Sequence, residues 1–209
     1  MDTHRTTRRL GLYPPIEPSR KGHLDVGDGH EIYWEECGRP DGLPVIALHG
    51  GPGGGAAPAM RRFFDPRRYR ILIFDQRGCG RSVPFAETRD NDTARLVGDM
   101  ERLRKFFDVS QWIVFGGSWG ATLALAYARA HAERVKAMVL RGVFACTRTE
   151  LDWFYRDGAN RLFPDAWERF TSRLSENERG DVLGAYHARL KEHDPAARRT
   201  DALEWARWE

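Results

Sequence analysis

WIVFGGSWGATLALAYARA, residues 112–130, joins a short continuous apolar run to an alanine-rich helical one through a turn of glycines around a serine. Gly116, Gly117, Ser118, Trp119 and Gly120 fit G-x-S-x-G at the strand-to-helix junction that pattern requires. The turn is so sharp that side chains beside the serine would meet the neighbouring strand and helix. Such a turn holds Ser118 in a strained backbone conformation, with its hydroxyl above the sheet edge and at a helix N-terminus that favours developing negative charge. An ordinary glycine-rich turn with an incidental serine is the plain alternative. Strand, turn and alanine-rich helix agree against it.

The same form recurs to either side. PVIALH (44–49), RILIFD (70–75) and KAMVLRG (136–142) are apolar runs of strand length, as is WIVFGG (112–117). Runs without polar alternation suit central strands covered on both faces of a parallel sheet. EIYWEEC (31–37), after the turn GDG (27–29), alternates as a half-buried strand does. In TARLVGDMERLRKFFD (93–108), Leu96, Met100, Leu103 and Phe107 recur at steps of three and four, giving a helix with one apolar face. Strands alternating with helices predict an α/β fold with a mostly parallel central sheet and right-handed crossovers. From Thr147 onward only helix-like segments crowded with charges, Trp and Phe follow. The expected organisation is a core over 1–146 and the start of a helical cap over 147–209.

Composition narrows the function classes. The 209 residues carry 33 Lys and Arg against 30 Asp and Glu, so no polyanion partner is predicted. RRFFDPRRYR (61–70) is basic but broken by aromatics and a proline, and reads as a solvated helix and loop rather than a nucleic-acid surface. Cys37, Cys79 and Cys146 form neither a CxxC pair nor a metal spacing, which suits a reducing cytoplasm and predicts no metal and no cofactor. The N-terminal MDTHRTTRRLGLYPP lacks the apolar stretch of a signal peptide, and no apolar run approaches the ~18 residues of a membrane span.

Two further loops follow strands. HGGPGGG (49–55) can bring bare backbone N–H groups to a reacting carbonyl, as an oxyanion hole requires. It lacks the Lys-Ser/Thr of a phosphate loop, and Pro52 removes one N–H. The amides of Gly51 and of Trp119, the residue after the serine, are the expected donors. DQRGCGRS (75–82) is polar and glycine-rich, and Asp75 lies upstream of Ser118, against the Ser–Asp–His order of the α/β-hydrolase pattern. It reads as structural.

In this order, HGGPGGG, DQRGCGRS and GGSWGATLALAYA resemble the proline iminopeptidases of the α/β-hydrolase superfamily. GLYPP, GDGHEIYWEECG, AERVKAMVLRGVF, DGANRLFPDAWERF and the closing WARWE resemble the same family, so the likeness runs from Gly11 to the last residue. It implies an α/β-hydrolase core and a helical cap, and a serine peptidase that removes N-terminal proline from peptides. Ser118 then matches the nucleophile, and Gly51 and Trp119 the oxyanion donors. Glu209 matches a cap glutamate that receives the substrate's charged amine, and Phe144 an aromatic beside the proline pocket. An exposed terminal glutamate and an ordinary core aromatic are the alternatives at these two positions.

A nucleophilic serine needs a base. After Ser118 the histidines are His131, His187 and His193. His131 would end the helix that Ser118 begins, about 20 Å away at ~1.5 Å per residue. His187 and His193 fall in a polar cap segment, and His49 belongs to the oxyanion loop. In the resembled family the Asp and His come from beyond the cap. No triad Asp or His is therefore assigned here, and the chain reads as the N-terminal part of a longer enzyme, inactive alone and prone to self-association through an uncovered sheet edge. The competing readings are another serine α/β-hydrolase (an esterase or a broader aminopeptidase) and a non-catalytic fragment acting as a binding module.

Overall fold

The computed structural model describes residues 11–191 and 194–209. These form two compact units that divide between Ala145 and Cys146.

The first unit is built on a six-stranded sheet. Its strands are β1 (Arg20–Asp25), β2 (Glu31–Gly38), β3 (Leu43–Leu48), β4 (Tyr69–Phe74), β5 (Trp112–Ser118) and β6 (Val135–Val143), in the spatial order β1-β2-β4-β3-β5-β6. β3 pairs in parallel with β4 and with β5, and β5 with β6, while β1 and β2 join antiparallel at one end. The chain therefore carries an α/β fold with a mostly parallel sheet. The apolar runs of β3, β4 and β5 are continuous because both faces are covered, whereas β6, whose run KAMVLRG reads as a central strand, stands at the end of the sheet and is largely exposed. Ile46, Leu48, Leu72, Phe74, Trp112 and Val114 point into one core, and Val45, Ala47, Ile71 and Ile73 into another.

Two helices cover the first face, α1 (Thr93–Phe106) and α2 (Trp119–Ala130). The apolar stripe of α1 buries Leu96, Met100 and Leu103, each worth about 1.5–3 kcal/mol when removed from water. Its first turn is closed by the Asp92 side chain, which accepts from the Arg95 N–H. Met60, within the short 3₁₀ turn Pro58–Phe63, and Phe64, just after it, pack on the second face.

Contrary to the reading of its composition as a solvated helix and loop, the basic stretch over 61–70 is partly buried. Arg61 is buried and gives Glu35 two hydrogen bonds, at 2.8 and 2.9 Å. Arg81 adds a third at 2.6 Å. Burial pushes the Glu35 carboxyl up, but the two guanidinium groups outweigh it and hold it below the usual carboxylate range. β1 escapes sequence reading altogether, because RKGHLD lies at the sheet end and pairs only with β2.

The second unit is helical among its described residues, with α3 (Arg148–Tyr155), α4 (Ala159–Leu162), α5 (Pro164–Thr171), α6 (Val182–Arg189) and α7 (Pro195–Trp208). Its small core is aromatic. Phe170 stacks on Tyr186 at 4.4 Å and on Trp208 at 5.3 Å, both nearly parallel.

Candidate active site

Strand β5 runs into α2 through Ser118, which occupies φ 55° and ψ −126°. Residues with a Cβ rarely adopt this conformation, and it costs of order 1–3 kcal/mol. What imposes it is the closeness of the backbones around it. A Cβ on Gly116 would stand 2.2 Å from the Gly120 carbonyl oxygen, and one on Gly120 would stand 2.6 Å from the Leu48 carbonyl oxygen. The two glycines of G-x-S-x-G thus let strand, turn and helix pass within van der Waals reach. Ser118 itself is solvent-exposed.

The loop after β3 lies against it. A Cβ on Gly50 would be 3.9 Å from Ser118 Oγ. Gly51 has φ +120°, and a Cβ there would meet the Gly53 and Gly54 nitrogens at 2.6 and 2.7 Å, so only glycine turns the chain here. Ser118 pairs across the sheet with Val143, which places Phe144 at the adjoining strand end. The Phe144 carbonyl accepts from the Thr122 hydroxyl at 2.6 Å, tying that end to α2. Gly51, Ser118, Trp119 and Phe144 therefore gather at one edge of the sheet. Glu209 belongs to the second unit, where its Oε1 accepts from the Tyr155 hydroxyl at 2.5 Å; the Tyr155 ring stacks on Trp205.

The histidine on the loop beside Ser118 is engaged elsewhere. His49 is buried, its Nε2 accepts the Gln76 backbone N–H at 3.0 Å, and its Nδ1 lies 2.8 Å from the Gly50 carbonyl. Nε2 can accept only without a proton and Nδ1 can donate only with one, which fixes the neutral Nδ1–H tautomer. Burial lowers its pKa, against the Gly50 carbonyl and the Asp75 charge, and so favours the same neutral form. His23 and His30 bond the carbonyls of Arg81 and Arg89, His131 caps the far end of α2, and His187 is exposed in the second unit. His193 lies outside the described residues. Among the described residues no histidine ring is hydrogen-bonded to Ser118.

DQRGCGRS frames the site. Asp75 accepts from the N–H groups of Ala56 and Arg81 and from the Arg81 guanidinium, at 2.7–2.9 Å. Burial raises its pKa, and these donors more than reverse that, so the group is a fixed anion holding two loops together. Arg77 is fully buried in a bidentate pair with Asp99 of α1. Gln76, which sequence reasoning passed over, links the loops on either side. Its amide donates to the His49 carbonyl at 3.0 Å and accepts from the Trp119 indole N–H at 2.9 Å. Next to it opens a cavity of about 570 Å³ lined by Pro52, Gly53, Cys79, Phe85 and Trp119. Among the described residues no group of three or more His, Cys, Asp or Glu could hold a metal ion. No described helix is long and apolar enough to cross a membrane.

This geometry has relatives. The model of the alpha/beta hydrolase fold matches residues 44–209. The chain belongs to the alpha/beta hydrolase fold family. Within that family it is 53% identical over 199 residues to a proline iminopeptidase of Arabidopsis thaliana, covering 95% of this chain and 52% of the relative. It is 54% identical to a proline iminopeptidase of Xanthomonas citri, covering 95% of this chain and 63% of the relative. The chain thus spans between about half and just under two thirds of these curated relatives. Among solved structures, a proline iminopeptidase-related protein from Thermus thermophilus superposes with a TM-score of 0.57 at 24% identity, over 91% of this chain and 66% of the other. At that identity the likeness concerns the alpha/beta hydrolase fold alone.

Proposed function

We propose that Ser118 is the nucleophile of a serine aminopeptidase that releases N-terminal proline from peptides. The observation that carries this reading is Ser118 itself, an exposed hydroxyl held at positive φ between two glycines that no other residue could replace. The half-identical relatives named proline iminopeptidases supply the substrate class.

In this reading Ser118 Oγ attacks the carbonyl carbon of the N-terminal prolyl residue as its proton passes to a base. The carbonyl oxygen takes up negative charge and is received by the Gly51 and Trp119 main-chain N–H groups. The C–N bond then breaks, the departing amine takes the proton, and a prolyl ester of Ser118 remains for water to hydrolyse. The base and its aspartate are assigned to the part of the relatives that this chain does not span, since the histidine on the loop beside Ser118 has other partners. Glu209 receives the prolyl ammonium, with Tyr155 fixing one carboxylate oxygen and leaving the other free. Phe144 flanks the proline ring. Buried free thiols at Cys37 and Cys79 suit a reducing cytoplasm.

The test is to incubate the full-length protein with Pro-Gly and Ala-Gly dipeptides and with a p-nitrophenyl ester. Release of proline, abolished by Ser118→Ala, supports the assignment. Ester hydrolysis without dipeptide cleavage would make it an esterase instead.

A further inference from the structure

We propose that Gln76 is the positioning residue of the oxyanion hole: it locks the two segments that carry the donors, the loop 49–51 and the start of α2 at residue 119, into one fixed spacing. This rests on the reading of Ser118 as nucleophile, and goes beyond it by naming what holds the donors in place.

Three hydrogen bonds converge on Gln76. Its main-chain N–H donates to His49 Nε2, its side-chain NH₂ donates to the His49 carbonyl, and its side-chain oxygen accepts from the Trp119 indole. The amide cannot be flipped without losing both side-chain bonds, because the His49 carbonyl can only accept and the indole can only donate. Gln76 is 1% exposed, so water does not substitute for either partner.

The consequences reach both donors. With Nε2 occupied by the Gln76 N–H, the single imidazole proton sits on Nδ1 and goes to the Gly50 carbonyl. The Gly50–Gly51 peptide is trans, so its N–H is directed away from its carbonyl. Anchoring the Gly50 oxygen on the imidazole therefore fixes where the Gly51 N–H points, in a loop that glycines leave otherwise free to turn. On the other side, Trp119 supplies the second donor from its own main chain, and its indole is held by the Gln76 oxygen. One buried residue, through its main-chain N–H and its side-chain amide, thus sets the distance between the donors. Oxyanion stabilisation depends on that distance, because donors must already stand where charge develops.

The test uses the full-length protein and two readouts of Ser118 chemistry that need no proline pocket: the rate of phosphonylation by a fluorophosphonate, and kcat and KM for p-nitrophenyl acetate. Gln76→Met keeps the main-chain bond and the approximate volume but drops both side-chain bonds. Phosphonylation and kcat should fall about 10- to 100-fold with KM within twofold, less than the ~10²–10³ lost when a donor is removed outright. Gln76→Glu adds a pH readout. As a carboxylate it faces the His49 carbonyl without a proton, and as a carboxylic acid it can donate there and still accept from Trp119. Its rate relative to the unsubstituted protein should climb as pH falls, which a residue serving only to fill space would not produce. Should Gln76→Met not fold, Trp119→Phe breaks the indole bond from the less buried side while keeping the Trp119 main-chain N–H, and the same loss in kcat is expected. Full activity in Gln76→Met or Trp119→Phe, or a pH-independent ratio for Gln76→Glu, overturns the proposal. If the unsubstituted protein itself does not react at Ser118, the nucleophile assignment fails instead.

Discussion

Replacing Ser118 by glycine should make the protein more stable, and the comparison with Ser118→Ala isolates why. Alanine removes the hydroxyl but keeps the Cβ, so it leaves the backbone at φ 55° and ψ −126° as strained as before. Glycine removes the Cβ and most of the strain. A non-glycine residue in such a region costs about 1–3 kcal/mol. Glycine gives back about 0.5–1 kcal/mol through the greater freedom of the unfolded chain. The difference favours Ser118→Gly over Ser118→Ala by about 1 kcal/mol, or about 2–4 °C in Tm for a chain of this size. Urea unfolding followed by far-UV circular dichroism, with thermal melts alongside, measures it. Gly50 lies against Ser118 from the facing loop, so little packing is lost with the Cβ. A Ser118→Gly protein no more stable than Ser118→Ala would refute the claim that the turn stores strain at the nucleophile.

Three other substitutions test neighbouring parts of the account, with a fourth as a control. Gly120→Ala would place its Cβ 2.6 Å from the Leu48 carbonyl of β3, a strand paired on both sides that cannot retreat, and should cost about 3 kcal/mol. The control, Gly180→Ala, where nothing lies within 4 Å, should change urea stability by no more than about 1 kcal/mol. Glu101 is held near a pKa of about 2 by the Arg104 guanidinium, with the Tyr127 hydroxyl adding a bond at 2.6 Å. A carboxylate with a depressed folded pKa stabilises fully above its unfolded value and loses that contribution as pH falls through the folded one. The stability gap between Glu101→Gln and the unsubstituted protein should therefore be widest near neutrality and close between pH 4.5 and about 2. Glu209→Gln should lower kcat/KM for prolyl substrates about 30- to 5,000-fold, from roughly 2–5 kcal/mol for one partner of a desolvated charge pair, while sparing a neutral ester. Equal losses on both substrates would assign Glu209 a structural part in its helical unit.

Most of the sheet was legible because central strands must be apolar throughout, and VIAL, ILIF and WIVF are. The helix α1 was legible from Leu96, Met100, Leu103 and Phe107, although it ends at Phe106. Strand β1 was not, because a charged end strand with one partner carries no such signal; its Gly22 serves to admit the Trp34 ring opposite. At the site, the positions of Ser118, Gly51 and Trp119 followed from glycine spacing, since close backbone approach leaves a mark in sequence. The part played by Gln76 did not. It depends on bonds between side chains and backbone across residues 49, 76 and 119, and one glutamine in a polar loop looks like any other. The burial of Arg61 was hidden for the same reason, its partner Glu35 lying on strand β2, far from it in sequence.

The claim on which the rest depends is that Ser118 is a reactive nucleophile, and peptide mapping by mass spectrometry after fluorophosphonate treatment of the full-length protein tests it most directly. The account predicts a single phosphonyl adduct, on the peptide containing Ser118, that disappears with Ser118→Ala and is suppressed by a prolyl substrate present in excess. An unmodified Ser118, or an adduct on another residue that survives Ser118→Ala, would contradict it.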